Sequence, residues 1–446
     1  MSRPIGIDLF SGAGGLSLGF EQAGFDVAAA VEIDPVHAAI HKFNFPNCAV
    51  IPSSVIGLRG DEIRSVARLG QRRIDVVFGG APCQGFSLIG QRALDDPRNA
   101  LVKEFVRIVG ELKASYFVFE NVKGLTVGKH RHFLDELIGA FRSLGYRVAL
   151  PWQVLNASHY GVPQDRERVI LIGARAGKPL PMYPTPLTRP VGSAKSLFDL
   201  PYGPTVRDAL GDLPDAENYD ELLDRDSVRS KEWGEPSPYA RKLRCLDNDS
   251  WYYGYCRLWD PTVLTSSMRT DHTEISRRRF AETDPGTVEP ISRFFRLSGD
   301  GLSNTLRAGT DSARGAFTSP RPIHYSRPRC ITVREMARLH GFPDWFRFHE
   351  TKWHGARQVG NAVPPPLGRA VASVLMDVME LKRQRPEKTF DLGDAALLRM
   401  GMVEAAEYWG VPVSIGRRDR KSGARKRKQS EIEAERLCST EDDAYA

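Results

Sequence analysis

The sequence predicts an α/β fold: an open, doubly wound sheet with helices on both faces, joined to a smaller and irregular second region. Three observations carry that expectation. Strand-length apolar runs at residues 4–9, 25–31 and 74–78 alternate with helical periods over the first 176 residues. These runs end in glycine or an acidic side chain, as at the carboxyl edge of a sheet where ligands bind. From Gly177 onward, proline, glycine, arginine and polar residues take over, and no helical period is sustained.

Residues 4–9 form the first strand. Asp8-Leu9-Phe10-Ser11-Gly12-Ala13-Gly14-Gly15 then turns into a helix, where Leu16, Phe20 and Ala23 share one face and Gly24 supplies the stop. Strand, glycine turn and helix let a ligand approach the backbone closely and meet the helix N-terminus. The second strand ends at Glu32, whose carboxylate can accept hydrogen bonds from both ribose hydroxyls of an adenosine-containing cofactor. Asp34-Pro35 reads as an N-cap with proline at the first helical position. These residues alone suit a nicotinamide dinucleotide as well as S-adenosyl-L-methionine. Two features favour the latter: Gly12-Ala13-Gly14-Gly15 departs from the Gly-x-Gly-x-x-Gly pattern, and Phe10 in the turn can stack on an adenine.

The strand at 74–78 runs into Gly79-Gly80-Ala81-Pro82-Cys83-Gln84-Gly85-Phe86-Ser87. A free cysteine is usually a buried apolar residue, but the flanking glycines and proline argue for a nucleophile on constrained backbone. Such a thiol has no part in hydride transfer. A helix follows to Leu112, and a strand at 116–119 ends in Glu120-Asn121-Val122. Glu120 would read as a surface residue in isolation; beside a nucleophile loop it is a candidate acid or base. After a helix near 130–144, the hydrophobic segments 146–155 and 169–174 complete the sheet. Arg166 and Arg168 stand just ahead of the last strand, on one side of the chain if it is extended there. Further on, 331–341 reads as a helix with Thr332 and Glu335 as a capping box. An amphipathic helix covers 367–381, and a short one is expected at 394–409.

The 446 residues allow two or three domains. No apolar stretch approaches the roughly 18 residues that would span a bilayer, and no leader segment is read at the N-terminus, so a cytoplasmic, nucleoid-associated location is expected. Cysteines at 48, 83, 245, 256, 330 and 438 form no CxxC pair, which argues against a zinc site or disulfide framework. No metal is expected. The net charge of +7 is concentrated between Arg417 and Lys428, which hold eight basic residues and Asp419. The remainder has 54 basic and 54 acidic residues, so a nucleic-acid face on the body must come from segregated charge.

The loop around Cys83 resembles the Pro-Cys-Gln motif of the DNA cytosine-5 methyltransferases. Asp8–Gly15, Glu120-Asn121-Val122, Gln164-Asp165-Arg166-Glu167-Arg168 and Gly360-Asn361-Ala362-Val363 match further motifs in that family's order. Together they cover roughly residues 4–175 and 329–380, and the chain is identified as a member of the bacterial restriction-modification type. The resemblance implies a Rossmann-like methyltransferase domain at 1–176 and a target-recognition domain at 177–330. It also implies an organising helix and return of the chain at 331–385; beyond the matches, the charge composition predicts a basic, partly disordered tail at 386–446. By resemblance S-adenosyl-L-methionine is held by Phe10, Gly12, Ala13, Gly14, Gly15, Glu32, Ile33, Ser54 and Leu101, with Asn361 and Val363 from the return segment. The family usually has an aspartate where Ser54 stands; a hydroxyl can still accept from the adenine amino group, and Asp61 is the alternative.

Cys83, Glu120, Arg166 and Arg168 are the implied catalytic residues. A thiolate adding to cytosine C6 activates C5, Glu120 gives a proton to N3, and Arg168 with Arg166 in support fixes the base oxygen and flanking phosphate. The cytosine must first leave the duplex. Thr305, Leu306 and Arg307 are the implied centre of DNA recognition. Arg269, Arg277, Arg278, Arg279, Arg293, Arg296 and Arg314 are further candidates for phosphate or guanine contacts. The expected partners are double-stranded DNA, bound by a monomer, and a cognate restriction endonuclease acting on the same site. Methylation of transfer RNA, as in a eukaryotic branch of the family, is the alternative.

Overall fold

Residues 3–82, 99–126, 130–193, 200–309 and 321–413 are described by the computed structural model. One sheet organises them, built from β1 (Ile5–Leu9), β2 (Asp26–Val31), β3 (Ala49–Ile51), β4 (Val76–Gly79), β5 (Tyr116–Val122), β6 (Tyr146–Val148), β7 (Gln153–Asn156) and β8 (Glu167–Arg175). The strand order is β3-β2-β1-β4-β5-β8-β6, with β7 also paired to β8. The first five strands are parallel; β8 runs antiparallel to β5, β6 and β7. The order reverses at β1, which opens a crevice at the carboxyl ends of β1 and β4. Register places Leu9 beside Gly79 and Gly79 beside Phe119. Phe10, Gly80 and Glu120 therefore follow at the same level on three strands about 4.8 Å apart.

Strand residues alternate between two apolar layers. Ile7, Val77, Phe117 and Phe119 face α4 (Ala100–Leu112) and α5 (His130–Ser143), where Phe117 stacks on Phe141 with ring centroids 3.7 Å apart. Val76, Phe78, Tyr116 and Val118 face the opposite layer, where Phe78 stacks on Phe20 of α1 (Gly15–Ala23) at 3.7 Å. Each such buried aromatic contributes about 1.5–3 kcal/mol. The expected single segment at 146–155 is split into β6 and β7, with Pro151 between them, because proline cannot donate to a ladder.

α2 (Pro35–Asn44) starts as expected, with Asp34 accepting from the backbone of Val36 and His37, and α3 (Gly60–Val66) lies between β3 and β4. In the second region α6 (Val206–Leu210) and α7 (Pro238–Leu243) are short. β9 (Val228–Arg229) pairs with β11 (Val263–Leu264), and β10 (Cys256–Leu258) pairs with β12 (Thr389–Asp391). α8 (Glu274–Glu282) departs from the expectation of loops and strands: it buries only Ser276 and Phe280, too few apolar positions to show a period.

α9 (Val333–Leu339) carries the expected Thr332–Glu335 capping box and binds the second region through buried arginines. Arg334 donates to the carbonyls of Thr265, Pro343 and Phe346, and Arg338 to Asp344, Asp212 and the Ala209 carbonyl. α10 (Lys352–Asn361) and α11 (Pro365–Val378) then return the chain to α1. Gly19 permits that return, since a Cβ there would lie 2.7 Å from the Pro365 carbonyl.

The chain stays on the folded body beyond residue 386, and α12 (Met402–Trp409) falls within the helix expected at 394–409. β12 joins β10, α12 lies on α2, and Gly393 and Trp409 donate to the carbonyls of Phe43 (2.8 Å) and Pro35 (3.2 Å). A three-residue strand and the buried pair Leu397 and Leu398 do this work, and neither is conspicuous in the sequence. The basic run at 417–428 lies outside the described residues.

Candidate active site

At the end of β1 the chain turns sharply. Phe10 adopts a left-handed φ of 63°, Gly12 follows at 54°, and Gly14 caps α1 at 105°. The Phe10 ring is half-buried against the core of the sheet. Both oxygens of Glu32 hold the turn together, accepting from Gly12 N (2.8 Å) and Asp34 N (2.9 Å). Burial pushes the Glu32 carboxyl above the usual range, offset in part by His37 and by these amides. Beneath the turn Asp8 accepts from the Ser17 hydroxyl at 2.6 Å, and burial pushes its carboxyl up to about 8.

Open space lies over Gly12, where a Cβ would meet nothing within 4 Å, and Ile33 beside Glu32 is 64% exposed. An acid with lone pairs left, an exposed aliphatic side chain and unobstructed backbone suit the adenosine end of S-adenosyl-L-methionine. The return segment reaches the same turn: a Cβ on Gly15 would lie 2.4 Å from the Val363 carbonyl, so only glycine lets the two segments touch. Val363 is buried there, while Asn361 is exposed at the last position of α10. Ala13 is buried under the turn, and Leu101 is half-buried against the core. Ser54 accepts from Ile56 N at 3.1 Å in its own turn, while Asp61 is exposed and paired with Arg59.

On the next strands, Glu120 is 9% exposed and pairs with Arg168, Nε to Oε1, at 2.8 Å. The antiparallel register explains the contact: Arg168 lies opposite Val122, two residues along from Glu120 on the same face. The other oxygen, Oε2, points at Gly80, where a Cβ would come within 2.4 Å. Asn121, to which the sequence assigned no role, donates from Nδ2 to the Ala81 carbonyl at 2.9 Å. Asn121 thus holds the segment that leads through Pro82 toward Cys83 in the sequence, and Glu120 lies beside it. Cys83 itself lies outside the described residues.

Arg166 is 1% exposed and not available to a base. Its guanidinium donates to the carbonyls of Leu306 (2.9 Å), Gly360 (2.9 Å) and Ala362 (2.8 Å). Its supporting role is to tie the second region to the return segment. Leu306 also needs reassignment: it is 2% exposed and packs in the core shared with α9. Thr305 donates to the Asp165 carbonyl at 2.6 Å, and Arg307 is exposed.

Of the other arginine candidates, Arg269 pairs with Asp220, Arg277 with Glu217 and Arg279 with Glu289, while Arg296 caps the carbonyls of Ala281 and Thr283. Arg278 and Arg293 are exposed; Arg314 lies outside the described residues.

Residues 5–377 match the family model for C-5 cytosine-specific DNA methylases. The chain belongs to that family. The methylase is 59% identical over 421 residues to type II methyltransferase M.XorII of Xanthomonas oryzae pv. oryzae, covering 94% of this chain and 96% of that one. It is 33% identical to type II methyltransferase M1.HphI of Haemophilus parahaemolyticus, over 83% and 86% of the two chains. Among solved structures, a candidate DNA modification methyltransferase encoded within an E. coli prophage superposes with a TM-score of 0.64 at 33% identity. That match covers 84% of this chain and 99% of the other. The methylase is therefore a DNA cytosine-5-methyltransferase of restriction-modification type with a Rossmann-like catalytic fold. Among the described residues no helix is long and apolar enough to cross a membrane.

Proposed function

We propose that the methylase transfers a methyl group from S-adenosyl-L-methionine to C5 of a cytosine flipped out of a specific duplex site, through a covalent adduct on Cys83. The observation that carries this reading is the level alignment of Phe10, Gly80 and Glu120 on three adjacent strands, with Glu120 Oε2 turned toward the loop that enters Cys83. Cofactor turn, nucleophile loop and acid then converge on one crevice.

Cytosine C5 is a weak nucleophile until a thiolate adds at C6. A free thiol titrates near about 8.5, so proton transfer coupled to attack or nearby backbone dipoles must help Cys83. Glu120 gives a proton from Oε2 to ring N3 as negative charge builds there, and Arg168 stabilises the carboxylate that remains. The bound cofactor supplies the electrophilic methyl group. Loss of the C5 proton to water then allows β-elimination, which returns the electron pair to Cys83 sulfur, while N3 gives its proton back to Glu120. Flipping the base costs a few kcal/mol, about the price of unstacking one pair.

Glu32, with Ile33, Phe10 and the Gly12–Gly15 turn, holds the adenosine end. Asn361 and Val363 close it from the return segment. Arg307 and Thr305 are the DNA-reading candidates that remain outside the core. The activity would protect a cytoplasmic genome from an endonuclease of the same specificity. The test is nucleoside analysis of duplex DNA incubated with labelled S-adenosyl-L-methionine. Label in 5-methylcytosine supports the reading; label in N4-methylcytosine or adenine refutes it. Glu32→Ala should weaken binding of S-adenosylhomocysteine by calorimetry, and unchanged binding would refute the assigned pocket.

A further inference from the structure

Two wholly buried side chains, Gln164 and His340, connect the segment at 305–307 to the return segment at 361–363. Gln164 Oε1 accepts from Leu306 N at 3.2 Å. Its Nε2 lies 3.0 Å from His340 Nδ1 and donates to the Leu339 carbonyl at 3.2 Å. His340 Nε2 lies 2.9 Å from the Ala362 carbonyl. Both ends are backbone groups of fixed polarity, so the direction of every hydrogen bond between them is forced. Leu306 N–H can only donate, which assigns Oε1 of the amide. Nε2 must then donate, so His340 Nδ1 accepts and the ring carries its proton on Nε2, toward Ala362.

No second arrangement satisfies these groups. An amide flip would set Gln164 Nε2 against Leu306 N–H and Oε1 against the Nδ1 lone pair. A protonated imidazole would have no lone pair for Gln164. Burial and the nearby Arg166 guanidinium keep the ring neutral. Arg166 parallels the chain, reaching Leu306 O on one side and Ala362 O on the other. Displacing Leu306 therefore strands a buried amide oxygen and loosens the hold on Ala362. The two ends of the chain are therefore mechanically linked, since a shift at one leaves a buried polar group unsatisfied at the other.

We infer that Gln164 and His340 are positioning residues that couple DNA engagement at 305–307 to cofactor engagement at 361–363. The inference rests on the cofactor and DNA assignments proposed above. Coupling of this kind is reciprocal: bound cofactor tightens DNA by the same factor as bound DNA tightens cofactor.

The test uses the full chain, S-adenosylhomocysteine, and a duplex whose site is found by mapping wild-type methylation. DNA affinity is measured with and without S-adenosylhomocysteine, and S-adenosylhomocysteine affinity with and without DNA. Wild type should show a coupling factor of at least about fivefold. His340→Phe keeps the ring volume and should bring the factor to about 1, with each ligand alone bound within about threefold of wild type. His340→Gln, which can still accept at one atom and donate at another, should restore it. Gln164→Leu breaks the same chain from its other end and should match His340→Phe, the double variant being no worse than either. Coupling that persists in His340→Phe and Gln164→Leu overturns the inference, as does a wild-type factor of 1 or a failure of His340→Gln to rescue. A wild type that leaves no 5-methylcytosine overturns the underlying reading instead.

Discussion

Gly80→Ala is the sharpest probe of the acid's position. A Cβ at residue 80 would stand 2.4 Å from Glu120 Oε2, whereas ordinary contact begins at 3.4 Å. The backbone there does not exclude alanine, so the carboxylate must retreat by about 1 Å or leave its rotamer. Either movement disturbs the 2.8 Å contact with Arg168. An off-rotamer side chain costs about 0.5–1.5 kcal/mol, a small loss for a domain of this size. A 1 Å misplacement of a reacting group costs about 10²-fold in rate. Single-turnover methyl transfer at saturating DNA and cofactor should therefore slow about 100-fold. Binding of S-adenosylhomocysteine should stay within about threefold, since Glu32 is untouched (a difference of under 1 kcal/mol). Gly139→Ala is the control: it lies in α5 with nothing within 4 Å of its Cβ and should be neutral or stabilising by about 1 kcal/mol. A Gly80→Ala enzyme as fast as wild type would refute the placement of Glu120.

Three other outcomes are expected. Burial would raise the Glu335 carboxyl, but Arg329 outweighs it and holds the group down to about 2 from 4.5. Its stabilisation is therefore complete above about pH 4.5 and lost as pH falls toward 2, about 3 kcal/mol in all. Glu335→Gln should lower stability at pH 7 by that order and flatten the acid limb; identical urea midpoints at pH 7 would contradict this. Arg307→Ala should cost about 1–3 kcal/mol and relax discrimination at one base pair if the exposed guanidinium grips a guanine. A uniform loss over all sequences would make it a phosphate contact. Ending the chain after Val413 removes the charge excess at 417–428 and should flatten the plot of log K against log salt, each lost phosphate contact contributing about 0.9 to the slope. A changed methylation site would show that the tail reads sequence.

Much of the catalytic half was legible because local chemistry marks it. The glycine turn after β1, the acid ending β2, the Asp34-Pro35 start of α2 and the Thr332–Glu335 box each depend on neighbours within a few residues. What escaped was polar pairing over long sequence distances. Arg166 reads as a catalytic cation from its motif, yet its partners are carbonyls 140 and more residues away. Leu306 sits in a segment read as DNA-facing, but its burial is set by α9. Asn121, Gln164 and His340 are ordinary polar residues in sequence, and only the fold supplies the carbonyls and rings they meet. Near the end of the chain the short helix expected at 394–409 contains α12, but β12 escaped, because three residues carry no period and gain stability only by pairing with β10.

The central claim is that Cys83 attacks C6 before the methyl group arrives at C5. Placing fluorine at C5 of the target cytosine tests it directly, because elimination requires loss of the C5 substituent as a cation and fluorine cannot leave that way. In the presence of S-adenosyl-L-methionine, enzyme and DNA should remain joined through denaturing electrophoresis, with the DNA mapped to the peptide that contains Cys83. Cys83→Ser should form no such complex while still binding S-adenosylhomocysteine. A complex that persists in Cys83→Ser, or maps to Cys48, Cys245, Cys256, Cys330 or Cys438, would contradict the mechanism.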